Sequence, residues 1–352
     1  MQPTDVRAPD YFHKVVDCQW ACPAHTPVPE YIRLIAAGRY SDAYMVNWKS
    51  NVFPGILGRT CDRPCEPACR RVRVEEGSPE HRKAHAKPEA VAICRLKRAA
   101  ADYKGDIRPH LPKPAANGNG KRVALVGAGP ASLTVARDLA PHGYQCVVFD
   151  GDPKAGGMMR TQIPKFRLPD RVIDEECGYV LDLGVEFRAG TRVDSMAALL
   201  AEGYDAVFVG SGAPRGRDLD IPGRQEAAAH IHIGIDWLAS VSFGHVTQVG
   251  KRVIVLGGGN TAMDCCRSAR RLGADDVKVI VRSGFDEMKA SPWEKEDALH
   301  EGIPILNFHV PKHFDHESGR LIGMTFEIVE AQYDAKGRRS LVATGEPDEL
   351  MA

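Results

Sequence analysis

Two stretches of the chain follow one pattern: a short apolar run, a glycine cluster, a stretch of helical period and a second apolar run. Lys121-Arg122 introduces Val123-Ala124-Leu125-Val126, which is too short for a helix and bounded by glycine, and so predicts a buried parallel strand. A helix is expected through Leu139, then a second strand at Cys146-Val147-Val148-Phe149. The order recurs at Val253-Ile254-Val255-Leu256, a helix through Leu272, and Val277-Lys278-Val279-Ile280-Val281. This repeat predicts two doubly wound α/β units in one chain.

The region ahead of them is patterned differently. Pro29-Glu30-Tyr31-Ile32-Arg33-Leu34-Ile35 has helical period, with Gly38 at the expected stop. Ala90 to Tyr103 predicts a second helix, with Val91, Ile93, Cys94 and Leu96 inward and Lys97 and Arg98 outward. Val74 to Pro88 reads as a charged loop carrying His81 and His85, and Asp106 to Gly120 as a Pro- and Asn-Gly-rich linker. From Gly319 the alternation is that of a β-hairpin around Asp334-Ala335-Lys336-Gly337. The domains expected are 1–105, helical; 106–120, linker; 121–225 and 226–345, the two nucleotide-binding units; and 346–352, the start of a return to the first of these.

Composition narrows the function class. At 352 residues there is room for two or three cores, and 46 Lys plus Arg balance 46 Asp plus Glu, which argues against a nucleic-acid surface. No apolar run approaches the roughly 20 residues of a membrane helix, and the N-terminus lacks the basic head and apolar stretch of a signal peptide. A cytoplasmic location is therefore expected. In that compartment ten cysteines point to ligands or core residues rather than disulfides.

The glycine clusters carry the first candidate chemistry. In Gly127-Ala128-Gly129-Pro130-Ala131-Ser132, Gly127 permits the tight turn and Gly129 lets backbone approach a pyrophosphate; Ser132, in place of Gly or Ala, is expected to loosen helix–strand packing slightly. Asp150 ends the next strand and can accept from a ribose diol. Gly257-Gly258-Gly259-Asn260-Thr261-Ala262 is placed the same way, but its second strand ends in Val281-Arg282-Ser283. An acid there would favour the free 2′-hydroxyl of NAD; Arg282 favours the 2′-phosphate of NADP, with NAD remaining possible.

Six cysteines precede these units. Cys61, Cys65 and Cys69 stand four residues apart among prolines, Cys18 and Cys22-Pro23 add a second pair, and Cys94 lies on the second predicted helix. Soft thiolates at this spacing suit an iron–sulfur cluster, whereas structural zinc prefers two-residue gaps and four ligands. Cys146, Cys177, Cys265 and Cys266 read as inert core thiols, since no Cys-x-x-Cys stands at a helix start.

Together these motifs resemble the glutamate synthase small subunit family and the N-terminal part of dihydropyrimidine dehydrogenase. The resemblance is carried by Cys18-x-x-x-Cys22-Pro23, Gly38-Arg39-Tyr40, Asn51-x-Phe53-Pro54 and Gly58-Arg59-x-Cys61 through Cys69, and it runs on to about Ile305. It includes Gly156-Gly157-Met158-Met159-Arg160 with Ile163 to Pro169, then Gly210-Ser211-Gly212-Ala213, Ile221-Pro222-Gly223, Gly257 to Asp264 and Glu287-Met288. The resemblance implies an α/β fold, with a helical 4Fe–4S domain followed by interleaved Rossmann-like FAD and NAD(P) domains. It puts Gly157, Met158 and Arg167 on the flavin side, and it makes Cys22, Cys61 and Cys65, with Cys94 as fourth ligand, the set for one cluster. Cys18 and Cys69 match ligands of a second cluster whose other pair is absent here. The loop after Cys69 is longer and more charged than in relatives, and the chain stops at Ala352 before the Gly-Asp segment that closes their FAD domain.

The function implied is electron input: hydride from NAD(P)H to FAD, single electrons to the cluster, and delivery to a catalytic partner subunit, or the same path in reverse, with the Val74–Pro88 loop as a docking element. No catalytic side chain is expected, because hydride transfer needs stacking geometry. The rival readings are a stand-alone disulfide reductase, disfavoured by the missing Cys-x-x-Cys, and a truncated scaffold that holds a cluster without flavin.

Overall fold

The computed structural model describes residues 16–73, 89–334 and 336–351. The charged loop at 74–88, with His81 and His85, lies outside the described residues. The chain divides into two compact units, Met1–Met159 with Phe166–Ser211, and Arg160–Lys165 with Gly212–Ala352.

The first unit opens with short helices: α1 (Asp17–Ala21), α2 (Val28–Ala36), α3 (Tyr40–Asn51), α4 (Pro54–Thr60), α5 (Arg70–Arg73) and α6 (Ile93–Tyr103). Tyr31 of α2, Ala43 of α3, Cys65, and Ile93 and Ala100 of α6 share one buried cluster. The prolines at 29 and 54 fall in the first turns of α2 and α4, where a missing N–H costs nothing. Helices α4 and α6 pack without a side chain between them at Gly58: a Cβ there would come within 2.7 Å of the Arg98 backbone. Arg59 then bridges to Asp102 of α6 at 2.6 Å. Lys97 departs from the sequence expectation. It is buried on α6, not outward, because it stands one turn after Ile93 and one turn before Ala100 and Ala101, on the same buried stripe as these and Cys94.

A parallel sheet follows, in the order β3-β2-β1-β4, formed by β1 (Arg122–Val126), β2 (Gln145–Phe149), β3 (Glu186–Arg188) and β4 (Ala206–Val209). Its connections carry α7 (Pro130–Leu139), α8 (Met158–Thr161), α9 (Asp170–Leu181) and α10 (Met196–Ala201). Both β1 and β2 are apolar along their lengths because helices cover both faces of such a sheet. Ser132 does not loosen the packing as expected. It is fully buried, and Gly210 makes room for it, since a Cβ there would lie 2.3 Å from the Ser132 Oγ.

The second unit holds α11 (Gly234–Ser242), then the parallel sheet β5-β6-β7 formed by β5 (Arg252–Leu256), β6 (Asp276–Val281) and β7 (Ile305–Asn307), with α12 (Asn260–Arg271) and α13 (Pro292–His300). Strands β8 (His309–Glu317), β9 (Arg320–Tyr333) and β10 (Arg339–Met351) form an antiparallel meander whose last turn is the expected hairpin turn. Residues 346–351, expected to begin a return to the flavin domain, instead continue β10 against β9 beyond a bulge between Ala343 and Pro347. Gly223 of Ile221-Pro222-Gly223 has φ +84°, and a Cβ there would meet the Phe314 carbonyl oxygen at 2.0 Å. That glycine is dictated by the approach of β8, whose Phe314 N–H donates to the Pro222 carbonyl.

Candidate cofactor sites

The first glycine turn joins β1 to α7. Gly127 takes φ +94°, and a Cβ there would strike the Gly210 carbonyl oxygen at 2.5 Å, so both torsion and space demand glycine. A Cβ on Gly129 would meet nothing within 4 Å, which leaves the backbone at the start of α7 open to a ligand. Pro130 and Ala131 form the exposed first turn. The Asp150 carboxylate, at the end of β2, accepts from the Ala128 N–H at 2.5 Å and from the Asp152 N–H at 2.8 Å. Those bonds fix its direction and leave lone pairs for a sugar diol. Burial raises the pKa of Asp152, and the Asp150 charge adds to the effect.

The Gly156–Gly157 turn lies against this one. Gly156 N–H donates to the Ala128 carbonyl, and a Cβ on Gly157, at φ +50°, would sit 3.0 Å from the Gly129 Cα. Met158 is exposed beside it and Arg167 is half-buried further on. An open helix N-terminus, an oriented carboxylate and two glycines in close backbone contact are what a dinucleotide pyrophosphate and ribose require. The residues present fit FAD.

The second turn joins β5 to α12. Gly257 has φ +124° and Gly259 again faces open space, while a Cβ on Gly258 would press on Val281 and Met288. Asn260 is held by Ser291: its Oδ1 accepts from the Ser291 N–H at 2.8 Å, and the Ala290 N–H donates to the Gly258 carbonyl. Thr261 is exposed on the first turn of α12, and Arg282 is exposed just past the end of β6. The residues fit a nicotinamide dinucleotide.

The cysteines fall into two sets. Cys22 follows α1, Cys61 ends α4, Cys65 lies in the next loop and Cys94 sits in the first turn of α6. Burial pushes the Cys65 thiol up to about 12; the Lys97 ammonium works against that, and the Cys61 and Cys22 thiols are close enough to add to it. Burial likewise raises Cys94, opposed by Arg63 and Lys97 and reinforced by Cys61. At Cys22 burial is outweighed by the Thr26 N–H, the Thr26 hydroxyl, the Ala24 N–H and Lys97, and the thiol falls below its ordinary value. Cys18 is raised mainly by burial and feels Cys69. Thus Cys22, Cys65 and Cys94 each feel the Lys97 charge and Cys61 acts on Cys65 and Cys94, while Cys18 feels Cys69 and packs on the same buried cluster as Cys65.

Three thiols of the larger set are also tied locally. Cys22 Sγ lies 3.6 Å from Thr26 Oγ1, Cys61 Sγ accepts from the Arg63 N–H at 3.4 Å, and Cys94 Sγ points at the carbonyls of Leu57 and Gly58, each at 3.4 Å. Glu66 Oε1 accepts from the Cys94 N–H at 3.0 Å, joining the Cys65 loop to α6. Among the described residues no three Cys, His, Asp or Glu side chains already converge as a metal site. The donor types, soft thiols with Cys65 and Cys94 buried, Cys22 and Cys61 half-buried and the Lys97 ammonium acting on three of them, fit an iron–sulfur cluster. Thr26, Glu66 and Lys97 were not singled out from sequence. Polar residues between cysteines carry no period or spacing that marks them.

The remaining cysteines are buried. Burial raises Cys265 strongly, Cys266 to about 12 and Cys146 to about 11, so none is poised as a thiolate.

Comparison with known proteins agrees with this division. Residues 121–346 match the pyridine nucleotide-disulphide oxidoreductase family, and residues 12–108 match dihydropyrimidine dehydrogenase domain II, 4Fe–4S cluster. The NADPH-Fe(3+) oxidoreductase subunit beta of Geobacter sulfurreducens is 35% identical over 85% of this chain and 44% of its own length. The NADP(+)-dependent formate dehydrogenase subunit beta of Moorella thermoacetica is 36% identical over 92% and 47%. The small chain of Escherichia coli glutamate synthase [NADPH] is 32% identical over 92% of this chain and 69% of its own. The chain therefore spans less than half of the first two relatives. In fold it is similar to Mycobacterium tuberculosis FprA, with a TM-score of 0.56 at 19% identity over 66% of this chain and 69% of that one. FAD, a nicotinamide dinucleotide and a 4Fe–4S cluster are the cofactors that these two domain types carry.

Proposed function

Since the chain belongs to the pyridine nucleotide-disulphide oxidoreductase family and carries a 4Fe–4S domain ahead of it, we propose that it is the electron-input part of an oxidoreductase complex. It draws electrons from NADPH and delivers them to a partner catalytic subunit. The observation that carries this reading is that the cysteine-bearing helices and loops, with Cys22, Cys61, Cys65 and Cys94, and a dinucleotide turn lie within one compact unit. Relatives named as beta subunits and as a small chain support a partner, and the resemblance supplies no pocket chemistry for a terminal substrate.

Bound FAD supplies hydride-to-single-electron conversion and the cluster supplies one-electron carriage. The chain's own residues do the rest. Gly127, Gly129 and Gly157 admit the flavin nucleotide's backbone, and Asp150 orients its ribose. Gly257, Gly258 and Gly259 admit the nicotinamide cofactor beside Asn260 and Thr261, and Arg282 selects its 2′-phosphate. Cys22, Cys61, Cys65 and Cys94 hold the cluster, while Lys97 offsets its negative charge. Cys18 and Cys69 stand aside from it. Among the described residues no helix is long and apolar enough to cross a membrane, and a cytoplasmic location belongs to the same proposal.

Iron and flavin analysis tests the assignment on protein purified without oxygen. About four irons and one FAD per chain are expected. Cys94→Ser should remove most of the iron and Cys18→Ser little. Zinc in place of iron, or equal losses from the two variants, would contradict it.

A further inference from the structure

The corner between α3 and α4 is strained. Val52 has φ 62° and ψ −43°, and the Phe53 N–H donates back to the Asn51 carbonyl at 2.6 Å, closing a γ-turn of the rare positive-φ kind. A β-branched residue avoids this region, so surrounding contacts must hold it there. Val52 and Phe53 are both buried.

Two side chains from the flavin-side helices grip the corner. Arg137, buried on α7, donates from Nη1 to the Trp48 carbonyl at 2.8 Å and the Lys49 carbonyl at 3.3 Å in the last turn of α3, where the Trp48 carbonyl also accepts from the Val52 N–H. Its guanidinium also lies over the Trp48 ring, 4.9 Å from the centroid. Glu176, buried on α9, accepts from the Gly55 N–H at 2.6 Å, the Ile56 N–H at 2.9 Å and the Tyr44 hydroxyl at 2.8 Å. Gly55 lets the carboxylate approach closely, since a Cβ there would lie 3.0 Å from Glu176 Oε1 and displace it. A cation thus satisfies the carbonyls on one side of the turn, and a carboxylate satisfies the N–H groups on the other.

The corner leads to the cysteine loops by two routes. Asn51 Nδ2 and Ser50 Oγ both donate to Thr26 Oγ1, the atom beside the Cys22 thiol. Helix α4 runs from the corner to Cys61, about 10 Å at the ordinary helical rise. On the other side, Arg137 lies about 10 Å along α7 from the glycine turn by the same measure.

We propose that the Asn51–Pro54 corner registers the cysteine loops against the flavin-side helices, with Arg137 and Glu176 as positioning residues that fix the distance an electron crosses between flavin and cluster. This rests on the electron path proposed above. The partners of Arg137 and Glu176 lie at the corner and include no cysteine, so each acts on the cysteine loops through the corner. Transfer between fixed centres falls steeply with separation, and a side chain that sets the separation controls that one step.

The test uses holoprotein carrying Glu176→Ala or Arg137→Met, with Glu176→Gln and Arg137→Lys as conservative partners. Amide hydrogen exchange over residues 52–58 is measured alongside rapid mixing with NADPH. In the Ala and Met variants exchange should speed up and cluster reduction should slow by about tenfold or more, as small misplacements do. Iron content and the rate of flavin reduction should stay at wild-type values, and the conservative variants should recover part of the loss. Wild-type cluster reduction in a variant whose corner exchanges faster would overturn the proposal. If Glu176→Ala does not fold, Tyr44→Phe, which removes one of the three donors, takes its place with a smaller slowing expected. A wild-type protein that reduces its flavin but never its cluster would defeat the electron path instead; unchanged exchange in the variants would then defeat the clamp as well.

Discussion

At Gly129 a side chain would project into the open space above the first turn, and at Arg282 a guanidinium stands exposed just past β6. Gly129→Val should therefore give protein that folds but purifies without flavin, read from the flavin-to-protein ratio. Full flavin with loss of nicotinamide binding alone would reverse the two assignments. Arg282→Ala should weaken NADPH binding about tenfold or more through loss of a charge-assisted bond, with NADH binding little changed. These positions were legible in the sequence because they answer to backbone constraints: only glycine takes φ +94° at residue 127 or +124° at residue 257 at no cost. Lys97 was not legible. It shares the one buried stripe of Ile93, Cys94, Ala100 and Ala101, but a lysine on that stripe reads as solvated until the thiols around it are placed by tertiary structure.

At the scale of elements, apolar runs and helical period located β1, β2, β5, β6, α7 and α12, and alternation located the β9–β10 hairpin. The α3–α4 corner was illegible. Propensity argues against a positive φ at Val52, and although Glu176 falls on the apolar stripe of Val172, Ile173, Cys177 and Val180, nothing in the sequence shows which N–H groups it meets there. Such contacts belong to tertiary structure. Glu176 has a consequence in pH. Burial raises its carboxyl to about 7, against the pull of the Gly55 and Ile56 N–H groups, the Tyr44 hydroxyl and Lys104. A carboxyl raised above its ordinary value favours the folded state while protonated, so that contribution is present at acidic pH and is lost as pH rises from about 4.5 through 7. Glu176→Gln should flatten the stability profile in that window, by up to about 3 kcal/mol between pH 5 and 8 in denaturant unfolding. An unchanged slope would mean that Glu176 does not titrate there.

At the scale of the whole molecule, the order of domains was readable from the change of pattern near residue 121, and the family matches at 12–108 and 121–346 fall on either side of it. At the end of the chain residues 346–351 show no alternation in sequence, and their pairing with β9 out to Met351 belongs to tertiary structure. What the parts do together is tested most directly by anaerobic rapid mixing of the holoprotein with NADPH, followed at flavin and iron–sulfur wavelengths. The account predicts flavin bleaching first, then cluster bleaching on the same protein without any added partner. Full flavin reduction beside a cluster that stays oxidised, yet is reduced at once by a strong chemical reductant, would contradict it.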